Sequence, residues 1–131
     1  MSDHLFVYGT LMRGYDHPMA QLLSRSADFV GEAHCRAKLY LVKHYPGLVP
    51  SNEAGDIVYG EVFRLRQVEE LLREFDMYEA CGEGFTEPTE YVRRLLKVAL
   101  ADGAELEVWT YLYNWPVEHL PRIASGRFLG E

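Results

Sequence analysis

The chain has 131 residues, of which 48% are hydrophobic and 25% are charged, as in globular proteins and unlike disordered ones. This length suits a single domain over residues 1–131, and no apolar stretch approaches the roughly 20 residues needed to span a bilayer. With 13 Lys and Arg against 20 Asp and Glu, the net charge of −7 disfavours nucleic acids and anionic membrane surfaces as partners.

The first half of the sequence predicts short strands separated by loops. In chain order, the pattern predicts a strand at Leu5–Tyr8, a loop from Gly9 to His17, a short helix beginning at Pro18, strands at Phe29–Ala33 and Ala37–Val42, and a loop at His44–Asp56. The last loop is long for a compact domain, and such loops tend to be functional.

The second half contains the clearest helix and a hairpin. The predicted elements are a strand at Ile57–Leu65, a helix at Gln67–Tyr78 that Gly82 is placed to end, strands at Tyr91–Leu100 and Glu105–Tyr113 joined across an Asp-Gly turn, and a tail at Asn114–Glu131. Most strands lack a crossover helix, which excludes a doubly wound parallel sheet. We therefore expect an α+β fold, with a small mixed β-barrel or strongly curved sheet and one main packed helix.

One carboxylate follows directly on the apolar stripe of the clearest helix. At about 100° per residue, Glu79 falls on the same face as Leu72 and Phe75. A carboxyl group among core-facing side chains loses hydration, which raises its pKa and prepares it for proton transfer near neutral pH. Alternatively, the helix frays at Tyr78 and Glu79 turns into solvent. Asp76 is expected to be either a residue at the border of the stripe or a partner for nearby backbone donors.

The loop after the first strand, Tyr8, Gly9, Thr10 and Leu11, is a second candidate. Glycine lets the backbone approach a ligand, and successive N–H groups in such a turn can face an anion. The glycine spacing of Gly9 to Gly14 suggests a phosphate loop, but Tyr15 and Asp16 stand where Lys and Ser or Thr are needed. A nucleotide is therefore disfavoured, and an ordinary strand-to-loop turn is the simpler alternative.

Other chemistries have weaker support. No two of the five histidines stand at metal-ligand spacing, so we expect no metal. Cys81 could be a nucleophile, yet no histidine is evidently placed to activate it. Cys35 and Cys81 are expected to be free thiols, and the N-terminus, which lacks signal-peptide character, predicts a cytoplasmic protein.

Taken in order, several short motifs resemble the gamma-glutamylcyclotransferase superfamily, especially its small bacterial AIG2-like and gamma-glutamylamine cyclotransferase-like members. They are FVYGTLMRG at Phe6–Gly14, YPG at Tyr45–Gly47, VYGEV at Val58–Val62, FDMYE at Phe75–Glu79 and YVR at Tyr91–Arg93. The chain departs from the family at Phe75, at Asp16 and His17, and at Arg127, where family members often have Leu, an Asn-His pair and an acidic residue.

The resemblance implies a small mixed barrel in which Glu79 is the catalytic acid and base, while backbone N–H groups from Tyr8 to Leu11 hold the glutamyl moiety. The implied reaction converts a small gamma-glutamyl amine or peptide to 5-oxoproline and a free amine, without a cofactor. Two other functions stay open: a non-catalytic small-ligand binding module of the same fold, and a thiol hydrolase using Cys81. The leaving amine and the oligomeric state do not follow from the sequence.

Overall fold

The computed structural model describes residues 2–129. In chain order, the elements are β1 (His4–Val7), α1 (Pro18–Ser26), β2 (Ala27–Leu41), β3 (Pro46–Pro50), β4 (Ile57–Leu65), α2 (Val68–Tyr78), β5 (Tyr91–Leu100) and β6 (Glu105–Tyr113). The bounds of β4, β5 and β6 are the predicted ones. Gln67, predicted as the first residue of the helix, is the N-cap of α2.

The strands form one sheet in the order β3-β2-β4-β1-β6-β5. An additional pairing of β2 with β5, in which Ala33 lies opposite Leu100, closes five strands into a barrel and leaves β3 outside it. The pair of β1 and β6 is parallel and the other pairs are antiparallel, so the barrel is mixed. The predicted α+β fold with a small mixed barrel is confirmed.

Two predicted boundaries in the first half are wrong. The strands expected at Phe29–Ala33 and Ala37–Val42 are parts of one strand, β2, because the alternation of buried and more exposed residues continues through His34 and Arg36. The loop expected at His44–Asp56 contains β3. Its two prolines stand at the ends of an edge strand that pairs only with β2, where the ladder tolerates proline.

Alternating side chains of the strands form two hydrophobic clusters. Leu5 and Val7 of β1 belong to the cluster that includes the buried faces of both helices, whereas Phe6 belongs to the cluster inside the barrel. A Cβ at Gly60 would lie 2.8 Å from the Phe6 ring and 2.3 Å from the Val7 carbonyl oxygen, so only glycine fits there. The ring of Phe6 therefore packs inside the barrel against Gly60 of β4, which has no side chain to occupy that space.

The segment after β6, which the sequence predicts as a tail, lies across the strands. The Leu41 N–H donates to the Pro121 carbonyl, and the Tyr59 N–H donates to the Gly126 carbonyl. These bonds hold the segment from 114 to 129 on β2 and β4. The last two residues of the predicted tail lie outside the described residues.

Candidate active site

A pocket of about 260 Å³ opens where β1 ends and α2 ends. Its walls come from β1 and the loop that follows it, from the C-terminal end of α2, and from the turn between β2 and β3. The start of β5 and the second half of β6 complete them. The lining residues that carry polar groups of interest are Tyr8, Gly9, Thr10, Leu11, Tyr45, Tyr78, Glu79, Glu90, Tyr91 and Tyr111. All five residues singled out from the sequence, Glu79 and the Tyr8–Leu11 loop, line this one pocket.

The loop after β1 is shaped by close packing against the turn before β3. A Cβ at Gly9 would lie 2.6 Å from Cγ of Pro46, so this glycine is required by contact and not by a positive φ. The N–H groups of Gly9, Thr10 and Leu11 find no acceptor among residues 2–129, although all three residues are buried. These N–H groups are therefore available to a ligand in the pocket.

Glu79 is the C-cap residue that follows α2 directly, and the hydrogen-bond ladder of the helix is intact up to it. Its N–H donates to the Phe75 carbonyl at 2.9 Å, so the helix does not fray at Tyr78 and the solvent-facing alternative is wrong. The chain then turns through Ala80, which has a φ of 54°. The Ala80 N–H bonds to Met77 and the Cys81 N–H bonds to Asp76, the pattern of a Schellman motif.

The helix ends at Tyr78 as predicted, but the residue that terminates it differs from the predicted one. Gly82 was expected to end the helix, but the left-handed residue after the cap is Ala80, two positions earlier. Glycine adopts that conformation without strain, whereas an L-residue with a Cβ pays roughly 1–2 kcal/mol for it. Ala80 also lines the pocket beside Glu79, so a strained residue stands next to the candidate catalytic group.

The surroundings of Glu79 disfavour its charged form. Burial, followed by the negative charges of Glu90 and Asp76, raises the pKa of Glu79 from 4.5 to about 8. The position at the carboxyl end of α2 acts in the same direction, because the helix dipole is negative there. The sequence pattern anticipated the burial by the apolar stripe, but it did not anticipate the two acidic neighbours.

Asp76 is anchored by side chains and not by backbone donors, which were one of the two alternatives from the sequence. Arg93 donates two hydrogen bonds to it, from Nε at 2.8 Å and from Nη2 at 3.1 Å, and the Tyr111 hydroxyl donates a third at 2.7 Å. The guanidinium of Arg93 in turn lies 4.5 Å from the centre of the Trp109 ring. This network ties the last turn of α2 to β5 and β6 and thereby fixes the position of Glu79.

Tyrosine hydroxyls brace the pocket walls. The Tyr8 hydroxyl donates to the Tyr111 carbonyl at 2.6 Å, and the Tyr91 hydroxyl donates to the Pro46 carbonyl at 2.6 Å. The Thr10 and Tyr78 hydroxyls lie 2.8 Å apart. Burial raises the pKa of Tyr8 and of Tyr91, so these hydroxyls stay protonated and act as donors.

Sequence reasoning did not single out Glu90 as a site residue. It stands immediately before β5, in an irregular segment without hydrophobic periodicity, and Tyr45 donates a hydrogen bond of 2.7 Å to its Oε2. The only sequence signal nearby was the set of motifs around Tyr45 and Tyr91 that carry the family resemblance. Chain folding brings this carboxylate into the pocket that holds Glu79.

The thiols do not join the site. Cys35 and Cys81 are free and buried, and neither lines the pocket. Burial raises the pKa of Cys81 to about 11, with help from Asp76 and Glu79, so its thiol is protonated at neutral pH and is a poor nucleophile.

Residues 2–129 hold neither a cluster of metal ligands nor a membrane-spanning helix. No three His, Cys, Asp or Glu side chains in this range are grouped to hold a metal ion. Neither helix in the described part is long and apolar enough to cross a membrane.

Comparison with known proteins identifies the family of the chain. Residues 5–130 match the model of the family described as gamma-glutamyl cyclotransferase, AIG2-like. The gamma-glutamylcyclotransferase family protein YtfP of Escherichia coli K12 is 36% identical over 129 residues, which cover 95% of each chain. The chain belongs to the gamma-glutamylcyclotransferase, AIG2-like family.

Solved structures show the same fold. The AIG2-like protein of Mus musculus superposes with a TM-score of 0.72 at 25% identity, covering 98% of this chain and 96% of that one. YkqA of Bacillus subtilis also superposes with a TM-score of 0.72, at 22% identity, and this chain spans 40% of its length. The mixed barrel with its packed helices is therefore an architecture that these proteins share.

Proposed function

We propose that the protein is a gamma-glutamylcyclotransferase that converts a small gamma-glutamyl amine or peptide to 5-oxoproline and the free amine. The observation that carries the proposal is the placement of Glu79, a carboxyl group with a pKa of about 8, in the pocket bordered by the free N–H groups of Gly9, Thr10 and Leu11. Family membership supports the same activity.

In the proposed reaction, the α-amine of the substrate attacks its own γ-carbonyl carbon. A C–N bond forms to close a five-membered lactam, and the original amide C–N bond breaks to release the amine. No water or redox partner is consumed. Because both reacting groups belong to one bound molecule, the pocket needs mainly to hold the chain in its folded-back conformation.

Glu79 accounts for the proton transfers. The substrate's ammonium group, once beside Glu79, favours the carboxylate form of Glu79. This carboxylate then takes a proton from the ammonium, which gives the neutral amine that attacks. The resulting carboxylic acid gives that proton to the leaving nitrogen, and the second proton that the attacking nitrogen loses as the lactam forms passes to the released amine, which leaves as an ammonium. Donors at Gly9, Thr10 and Leu11 are suited to hold the glutamyl moiety and to stabilise the oxyanion that develops on the γ-carbonyl oxygen.

The test is incubation of the purified protein with gamma-glutamyl amines and peptides, with separate detection of 5-oxoproline, free glutamate and free amine. The proposal expects 5-oxoproline and amine in equal amounts from the wild-type protein. Binding without turnover favours the small-ligand binding module of the same fold, and free glutamate favours hydrolysis. A Cys81→Ser variant serves as the control, because the proposed reaction does not use that thiol and its activity is expected to persist.

A further inference from the structure

One wall of the pocket carries a carboxylate that the proposed reaction does not use. Glu90 is partly buried and lines the pocket, and the only hydrogen bond to its side chain from residues 2–129 comes from the Tyr45 hydroxyl, which reaches Oε2. Its other oxygen, Oε1, accepts nothing from these residues, and no Lys, Arg or His in this range forms an ion pair with it. One face of this carboxylate is therefore left for a ligand.

Asp76 and Asp56 each have a cationic partner, which Glu90 lacks among residues 2–129. Asp76 is neutralised by Arg93, and Asp56 is neutralised by Arg122 at 2.6 Å with Lys38 at 3.8 Å. Glu90 has only a neutral donor. A partly buried carboxylate without a cation loses hydration and gains little in return, so a positively charged ligand group is the partner that its environment favours.

The rest of that wall favours a cation as well. The rings of Tyr45 and Tyr91 lie 6.2 Å apart beside Glu90, and His44 packs edge-on against Tyr45. Aromatic faces attract ammonium groups. Burial and the hydrogen bond to Glu90 raise the pKa of Tyr45, so its hydroxyl remains a donor and holds the carboxylate in place. Among the residues that line the pocket, none is Lys or Arg.

We propose that Glu90, held by Tyr45, is a specificity-determining residue that selects gamma-glutamyl compounds whose leaving amine carries a second, positively charged group. The inference rests on the proposed function, because that function sets the orientation in which the substrate lies in the pocket. With the glutamyl moiety on the Gly9–Leu11 loop and the reacting amide beside Glu79, the leaving amine extends toward the wall formed by Tyr45 and Glu90. An ammonium at its far end then meets the free Oε1.

The test measures binding, so that it does not depend on turnover. Two ligands of equal length are compared by calorimetry: the gamma-glutamyl derivative of 1,4-diaminobutane, which ends in an ammonium, and that of pentylamine, which ends in a methyl group. The measurements use the Glu79→Gln protein, in which the ligands persist, with and without Glu90→Gln. Glu83→Gln is the matched control, because it makes the same change of charge at an exposed position outside the pocket.

The expected result is a preference for the ammonium ligand that Glu90→Gln reduces by about tenfold or more, as for loss of a charge-assisted hydrogen bond. Affinity for the methyl ligand should change by less than about twofold, and Tyr45→Phe should reduce the preference by a smaller factor. Equal weakening of both ligands by Glu90→Gln would overturn the inference, since Glu90 would then act on the shared glutamyl moiety. The inference would also be overturned if Glu83→Gln reduced the preference for the ammonium ligand as much as Glu90→Gln does.

The two proposals fail in different ways. Charge-selective binding that depends on Glu90, together with no 5-oxoproline from the wild-type protein, would overturn the proposed function and leave Glu90 as a recognition residue. Formation of 5-oxoproline from both ligands at equal rates and with equal affinities would uphold the proposed function and overturn the role of Glu90. A protein that binds neither ligand would overturn both.

Discussion

Glu79 links the stability of the fold to pH in a direction opposite to that of most acidic residues. Its pKa is raised from 4.5 in the unfolded chain to about 8 in the folded protein. The folded state therefore holds a proton that the unfolded state has already lost between these two values. Stability from the neutral form is fully present below pH 4.5 and is lost as pH rises from 4.5 to about 8, above which both states are ionised and no further loss occurs.

The structure sets the size of the effect. Each pKa unit corresponds to about 1.4 kcal/mol, so the rise from 4.5 to about 8 corresponds to a loss of about 5 kcal/mol, at a slope of about 1.4 kcal/mol per pH unit. This is an upper value, because part of the Glu79 side chain is open to the pocket and water there can relax around the charge. Even half of it is a large share of a typical stability of about 5–15 kcal/mol.

Glu79→Gln isolates the effect, because glutamine keeps the volume of the side chain and does not titrate. Urea unfolding of both proteins at pH 5, 6, 7 and 8 gives the difference in the free energy of unfolding at each pH, in which the other titrating groups cancel. We expect the two proteins to be similar at pH 5 and the variant to be more stable by several kcal/mol at pH 8. Parallel curves across this range would refute the buried-carboxyl argument.

Three further outcomes are expected. Glu79→Gln should lower the rate of 5-oxoproline formation by about 10² to 10⁴-fold with an unchanged circular dichroism spectrum, and retention of more than about a tenth of the rate would exclude it as the base. Thr10→Ala should change the Kd for a gamma-glutamyl ligand by less than about tenfold. In calorimetry, binding should be abolished by Thr10→Pro, which removes a backbone N–H, and by Gly9→Val, which forces a Cβ against Pro46. Ala80→Gly should raise the free energy of unfolding by about 1 kcal/mol in urea, because it relieves a positive φ; a loss of stability there would contradict the strain.

The parts of the fold that were predictable from the sequence are those in which neighbouring residues decide the conformation. The stripe of Leu71, Leu72 and Phe75 marks the helix, and the Asp-Gly turn at residues 102 and 103 aligns β5 with β6 from Tyr91 to Tyr113. Period-two alternation likewise gives the bounds of β4. Closure of the barrel was not visible in this way, because the pairing of β2 with β5 depends on the curvature of the whole sheet.

The parts of the site that were missed depend on residues far apart in the chain. Tyr45 and Glu90 are 45 positions apart, and both stand in irregular segments where no periodicity assigns a face. Asp76 falls at the edge of the helical stripe, and only the approach of β5 makes Arg93 its partner, 17 positions away. The last residue of α2, Tyr78, was predicted correctly, but the left-handed residue that ends the helix was not, because alanine seldom occupies that conformation and Gly82 was the obvious candidate.

The position of Glu79 was predictable because packing, and not the ends of the helix, sets its direction. Phe75 and Leu72 are fully or almost fully buried, and their contacts fix the rotation of α2 about its axis. Glu79 lies one turn beyond Phe75 and two turns beyond Leu72, so its direction follows from theirs whatever residue begins the helix. An insertion or deletion of one residue between Phe75 and Glu79 would turn the carboxyl by about 100° and take it out of the pocket, while the packing upstream of Phe75 stayed intact.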